Sequence, residues 1–233
     1  MRALIIDDER LARTELRRLL AVHPEIEVAG EARDVTEGLE QIERFHPALL
    51  FLDIKMPGGS GFDLLEKLDS VPLVVFTTAY DEYALRAFEV NSLDYLLKPI
   101  VPERLAAAIE RALATEQKAS TPVGALQKIF LKDGERCWFV AMREIVLLES
   151  EGNYTRVYFD NNRPLVLRSL NALEERLDPS LFYRASRRHI VNLQSITGVE
   201  PSVSGGLTIT LVGSLQVEMS RRRSILFRQA MSL

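Results

Sequence analysis

Over its first half the chain alternates short, unbroken apolar runs with segments of helical spacing. Ala3–Asp7, Ile26–Gly30, Ala48–Asp53, Pro72–Thr77 and Leu93–Leu97 are runs of the first kind. Apolar on both sides and only a few residues long, they predict strands buried in a parallel sheet. Between them, Asp8–Val22 places Leu11, Leu16, Leu19 and Leu20 on one face of a helix, and Val35–Phe45 does the same with Leu39 and Ile42. Ser60 can cap a third helix running to Asp69. A fourth is expected over Asp81–Glu89, and Pro102 opens a fifth, Glu103–Leu113, where proline loses no hydrogen bond. Five strands alternating with five helices demand a doubly wound parallel sheet, covered on both faces and joined by right-handed crossovers.

The pattern changes after a polar stretch, Thr115–Gln127, which has no periodicity and is broken by Pro122 and Gly124. From Lys128 the apolar runs shorten: Ile129–Leu131, Cys137–Val140, Ile145–Glu149, Thr155–Phe159, Leu165–Leu167, Leu207–Val212 and Leu215–Met219. Gly213-Ser214 between the last two is a two-residue hairpin signal. One short helix, Asn171–Leu177, has capping-box spacing at Asn171 and Glu174, and partial helix is expected near Arg187–Val191. Short strands at this spacing predict a mostly β domain. The expected division is a first domain over 1–116, a linker over 117–127 and a second domain over 128–233.

Charge supports that division. Residues 1–122 hold 14 Lys and Arg against 22 Asp and Glu, while 123–233 hold 15 against 11, so balances of −8 and +4 lie behind the net charge of −4. A basic second half suits an anionic partner. No apolar run approaches the about 18 residues of a membrane span, and the N-terminus reaches Asp7-Asp8 too soon for a signal peptide. The chain is therefore read as cytoplasmic, with no membrane partner. One cysteine, Cys137, excludes an internal disulfide framework, and His23, His46 and His189 lack metal-ligand spacing.

The chemistry lies at the C-terminal ends of the first set of strands, where ligands of an open α/β sheet gather. Asp7-Asp8 ends the first, Asp53 the third, Thr77-Thr78 the fourth and Lys98 the fifth. Three carboxylates converging on one edge repel unless a cation neutralises them, and Mg²⁺ suits oxygen ligands. A carboxylate oxygen can attack phosphorus. Asp53 alone could be a metal ligand, a nucleophile or a solvated loop residue. No GxGxxG follows the first strand and no Walker loop occurs. A phosphatase with an Asp nucleophile usually has a second Asp two residues on; Lys55 stands there, which favours a phosphoryl acceptor over a hydrolase.

Asp7-Asp8, Asp53 followed by Ile-Lys-Met-Pro-Gly-Gly-Ser-Gly, Thr78-Ala79 and Tyr95-Leu96-Leu97-Lys98-Pro99 occur in order over some 115 residues. Together they resemble the receiver domain of bacterial two-component response regulators. The resemblance implies a five-stranded, flavodoxin-like fold with Asp53 as phosphoacceptor. Asp7, Asp8, Asp53 and the backbone carbonyl of Lys55 would bind Mg²⁺. Thr78 and Lys98 would contact the phosphoryl oxygens, Tyr95 would be the aromatic switch, and Lys98-Pro99 would be cis.

In the second half, Leu148–Tyr154, Phe182–Leu193 and Met219–Arg222 resemble the LytTR-type DNA-binding domain, over roughly residues 125–230. That family inserts loops into successive major grooves of double-stranded DNA. Carried over by position, the candidate contacts are Asn153, Tyr154, Thr155, Arg187, Arg188 and Arg222, with Asn192 bracing its turn and His189 in packing. The combined resemblance implies a transcription regulator of the LytR/AlgR kind and not an enzyme. A sensor histidine kinase would pass a phosphoryl group to Asp53. A homodimer would then form through the face carrying Tyr83, Leu85, Phe88 and Val90. Two other classes remain distinguishable: a Mg²⁺-dependent phosphatase, marked by sustained turnover, and a protein-binding module, marked by weak salt dependence.

Overall fold

The apolar run Leu49–Asp53 forms β3 with every residue buried, as the middle of a parallel sheet requires. In the computed structural model, which describes residues 1–79, 93–118, 128–134 and 136–231, β1 (Arg2–Ile6) pairs in parallel with β2 (Glu27–Ala32) and with β3. Beyond β3 come β4 (Leu73–Thr78) and β5 (Asp94–Leu97), giving the strand order β2-β1-β3-β4-β5. The connecting helices are α1 (Arg10–Leu20), α2 (Val35–Phe45), α3 (Gly61–Lys67) and α4 (Pro102–Lys118).

Alternation along the strands builds two core layers. Leu4, Ile6, Leu50, Leu52 and Phe76 face Val35, Ile42, Leu64 and Leu65 on one side. Ala3, Ile5, Phe51 and Val75 face Leu16, Leu20, Leu105 and Ile109 on the other. The doubly wound sheet expected from the spacing is thus observed, and the Lys98-Pro99 bond is cis. One expectation fails: Leu11 is 77% exposed. It sits about 140° around the helix from Leu16, at 3.6 residues per turn, so it cannot share the buried stripe. The helix expected over Asp81–Glu89, with Tyr83, Leu85, Phe88 and Val90, lies outside the described residues, as does most of the 117–127 linker.

The chain divides into two compact units, Met1–Phe139 and Val140–Leu233. The first includes most of a hairpin, β6 (Lys128–Asp133) and β7 (Arg136–Ala141). The second unit is mostly β. One antiparallel sheet runs β10-β9-β8-β12-β11, built from β8 (Ile145–Glu151), β9 (Tyr154–Phe159), β10 (Leu165–Val166), β11 (Phe182–Arg184) and β12 (His189–Asn192). Three further strands, β13 (Ile196–Pro201), β14 (Leu207–Leu211) and β15 (Leu215–Met219), form a second sheet. The connection of β14 to β15 is not the two-residue turn expected: Leu211 pairs with Leu215, so the loop is Val212–Ser214, with positive φ at Gly213 and Ser214, 77° and 61°, and the extra residue lets Val212 leave the strand.

Two local expectations are corrected here. The short helix α5 spans Leu170–Glu174 and is capped by Ser169, whose hydroxyl accepts from the Ala172 amide, and not by Asn171. Residues near Arg187–Val191 are not helical: they turn and enter β12, where Ile190 and Val191 are both buried. After β15, Ser220 leads into a further helix, α6 (Arg221–Met231), which carries Arg221, Arg222 and Arg223 in its first turn. Its inner residue Phe227 is 1% exposed and meets the Tyr183 ring edge-on at 5.1 Å. Among the described residues no helix is long and apolar enough to cross a membrane.

Candidate functional site

At the C-terminal ends of β1, β3, β4 and β5 the backbone brings together Asp7, Asp8, Asp53, Thr78 and Lys98. Asp53 is the last residue of β3 and Thr78 the last of β4; Asp7 and Lys98 directly follow β1 and β5. Asp7, Asp53 and Thr78 are all buried, whereas Asp8 is exposed. Carboxylate oxygens of Asp7, Asp8 and Asp53 lie within 4.8 Å of one another. Lys98 Nζ is 2.7 Å from Asp7 Oδ2, 3.5 Å from Asp53 Oδ2 and 3.8 Å from Glu9 Oε2.

Backbone amides fix the two buried carboxylates. The Glu9 amide donates to Asp7 Oδ1 at 2.9 Å, and the Ile54 amide donates to Asp53 Oδ1 at 2.8 Å. Burial pushes the Asp53 carboxyl up to about 6; Lys98 opposes this and the Asp7 charge adds to it. Burial likewise raises Asp7 against the pull of Lys98. Burial works against the charged form of Lys98, yet Asp7, Asp53 and Glu9 together hold its ammonium above the ordinary value. One ammonium among the carboxylates of Asp7, Asp8 and Asp53 leaves excess negative charge in a site whose ligand atoms are all oxygens, two of the carboxylates buried and that of Asp8 open to solvent. Those residues fit a hard divalent cation.

The loop after Asp53 is tightly led. Gly61 donates its amide to the Ile54 carbonyl at 2.9 Å, and a Cβ at Gly61 would collide with the Asp53 carbonyl oxygen. Ser60 and Asp63 form a reciprocal capping box that starts α3. Arg13, which the sequence did not single out, donates to the Asp7 carbonyl at 2.7 Å and to that of Asp8 at 3.3 Å, while its Nε pairs with Glu31 at 3.1 Å. It thereby holds the acidic turn from outside. Thr77, beside Thr78 at the end of β4, is also buried. Tyr95 lies inward, in the core layer that contains Phe76 and Phe62.

In the second unit four of the six expected contact residues, Asn153, Tyr154, Arg187 and Arg188, lie where two neighbouring hairpins turn at one end of the five-stranded sheet. Asn153 sits on the β8–β9 turn, where Gly152 has φ 65°, and Tyr154, the first residue of β9, is 42% exposed. Arg187 and Arg188 lie exposed on the β11–β12 turn beside it, and the Ser150 amide donates to the Arg188 carbonyl at 2.8 Å. Arg187 and Arg222, 35 positions apart, line one cleft of ≈ 490 Å³ with Ser186, Ser220, Arg223 and Leu226. Thr155 is not brought to this surface: it is fully buried, and its hydroxyl donates to the Arg168 carbonyl at 2.8 Å.

Other residues make the turn rigid. Arg184 donates to the carbonyls of Ser186 at 2.6 Å and Arg187 at 2.7 Å, and pairs with Glu174 at 2.7 Å. No sequence signal marked it as a clamp. Asn192, fully buried, donates to the Ile145 carbonyl at 2.7 Å and accepts from the Gln194 amide at 2.9 Å. His189 lies between Ser186 Oγ at 3.0 Å and Glu149 at 3.5 Å; burial lowers its pKa, with Glu149 opposing.

Comparison with known proteins agrees with both halves. Residues 3–110 match the model of the response regulator receiver domain, and residues 135–232 match that of the LytTr DNA-binding domain. The chain is 36% identical over 242 residues to the sensory transduction protein LytT of Enterococcus faecalis, covering 100% of both. It is 38% identical over 225 residues to a response regulatory protein of Vibrio cholerae, covering 94% of each. With LytT of Bacillus subtilis the identity is 33% over 232 residues, covering 95% of each.

Proposed function

Since the chain belongs to the response regulators that join a receiver domain to a LytTR DNA-binding domain, we propose that it accepts a phosphoryl group on Asp53 and binds promoter DNA under the control of that event. The receiver would span 1–116 and the DNA-binding domain 128–233, joined through 117–127. The observation that carries this reading is the buried Asp53 carboxylate, within 4.8 Å of two further carboxylates and 3.5 Å from an ammonium.

The Ile54 amide holds Asp53 Oδ1, leaving Oδ2 beside Lys98. Attack by a carboxylate oxygen on a phosphohistidine of a sensor kinase would form an O–P bond as the P–N bond breaks, returning the kinase histidine as free imidazole and leaving an acyl phosphate on Asp53. Lys98 would balance the added negative charge. Thr78, its carbonyl bonded to the Lys98 amide at 2.8 Å, would offer its hydroxyl to a phosphoryl oxygen, and Tyr95 would respond to that shift. Asp7, Asp8, Asp53 and the Lys55 carbonyl would hold Mg²⁺, which when bound supplies the charge neutralisation that phosphoryl transfer needs.

In the second unit Asn153, Tyr154, Arg187, Arg188 and Arg222 would meet the DNA, with Thr155 and Arg184 bracing the turns that present them. Exposed arginines, two on a turn and Arg222 in the first turn of α6, suit phosphate contacts and bidentate reading of base edges. A phosphorylated homodimer would grip a repeated site in the cytoplasm. The test is intact-mass analysis after treatment with a small phosphoramidate and Mg²⁺. One phosphoryl equivalent on the wild type and none on Asp53→Asn is expected; equal labelling of both would overturn the assignment. Sustained turnover of a phosphate ester would instead mark a hydrolase.

A further inference from the structure

The hairpin β6–β7 follows the 117–127 stretch in sequence, yet its residues through Phe139 belong to the first compact unit. Its attachment there is specific. The Val71 amide donates to the Lys128 carbonyl at 3.1 Å. Phe130 stacks on Phe62 of α3, with ring centroids 6.1 Å apart and planes 10° from parallel, and meets Phe139 edge-on at 5.3 Å. Lys132 Nζ pairs with Asp63 Oδ1 at 2.7 Å. Phe130 and Phe139 are 5% and 7% exposed, so the contact excludes water.

The residues met by the hairpin are those next to the phosphoacceptor. Ile54 and Met56, on the loop that follows Asp53, share one core layer with Phe62, Tyr95, Phe130 and Phe139. Asp63, the partner of Lys132, uses its other oxygen to cap α3 through Ser60 at 2.8 Å. The loop and the start of α3 are tied by the Gly61–Ile54 hydrogen bond. At its far end β7 continues into Val140 and Ala141, the first residues of the second unit. A close-packed layer cannot absorb a shift of Ile54 or Met56 without losing contacts elsewhere.

We propose that the hairpin Lys128–Phe139 is a docked partner of the receiver's α3 face, and that loading Asp53 loosens it and so transmits the signal to the DNA-binding unit. This inference rests on the assignment of Asp53 as phosphoacceptor. Coupling then runs through Ile54, Met56 and Phe62 into Phe130, along a continuous set of contacts. It does not require the face near Tyr83 and Phe88.

Hydrogen exchange on the full-length protein, with and without Mg²⁺ and beryllofluoride, tests it. Amides of 54–63 report whether the receiver is loaded, and amides of 128–139 report the hairpin. With loading seen at 54–63, exchange at 128–139 is expected to become about tenfold faster, within the range of ordinary coupling between sites. Unchanged or slower exchange there would overturn the proposal. No change at 54–63 would instead count against the receiver assignment. Phe130→Ala provides a second test: it should still respond at 54–63 while its DNA affinity no longer depends on beryllofluoride. A variant that keeps the wild-type dependence would overturn the coupling. Lys132→Ala, which removes only the ion pair, should lose part of that dependence.

Discussion

Replacing Asp53 by Asn should stabilise the metal-free protein at neutral pH, although it removes the group on which the proposed function depends. The Asp53 carboxyl is raised from 3.8 to about 6, chiefly by burial. The folded state therefore binds this proton more tightly than the unfolded chain. The stability tied to it is present below pH 3.8 and is lost as pH rises through about 6. A shift of roughly 2 units at about 1.4 kcal/mol per unit gives a cost of about 3 kcal/mol above that window. Asn does not ionise, and its Oδ1 can still accept from Ile54. Lys98 keeps Asp7 at 2.7 Å as partner. The expected gain is about 1–3 kcal/mol at pH 7.5 in EDTA, falling to a few tenths near pH 4. Urea unfolding followed by the single tryptophan, Trp138, reports the first unit, since its hairpin belongs there. An Asp53→Asn variant less stable than the wild type at pH 7.5, or a difference independent of pH, would refute the reasoning.

Three further outcomes follow from the same geometry. Mg²⁺ at about one hundred times its dissociation constant should stabilise the wild type by about 2.7 kcal/mol in the same unfolding assay, and chelation should reverse this, while Asp53→Asn should respond much less. Gly61→Ala, which places a methyl against the Asp53 carbonyl oxygen, should destabilise the first unit by about 1–3 kcal/mol; an unchanged urea midpoint would contradict the close approach. Arg187→Ala and Arg222→Ala should each lower the slope of log affinity for DNA against log salt by about 1, measured by anisotropy; an unchanged slope would remove that side chain from the interface.

The sheet was legible because a strand buried on both faces reads as an unbroken apolar run, and Leu49–Asp53 is one. The acidic edge was legible because topology puts every strand's C-terminal end together, so Asp7, Asp53 and Lys98 could be juxtaposed before any distance was known. The same reasoning misled at β12: Ile190 and Val191 are both buried, so alternation was missing and the stretch passed for partial helix. Helix α6 went unread because its buried stripe holds only Ser224 and Phe227, while Ile225 and Leu226 are exposed. Arg13 and Arg184 act on backbone carbonyls of turns. Such bonds depend on where the chain returns in space, which no local spacing encodes. Thr155 shows the reverse: it was carried over by position with Asn153 and Tyr154 from the family resemblance, but successive strand residues point to opposite faces, and its side chain turns inward.

The central claim, that Asp53 controls DNA binding, is tested most directly by fluorescence anisotropy of a random duplex pool across a salt series, with and without Mg²⁺ and beryllofluoride. The account predicts tighter, salt-sensitive binding by the loaded wild type and no such gain for Asp53→Asn. Equal affinity in both states, or the same gain in the Asp53→Asn variant, would contradict it.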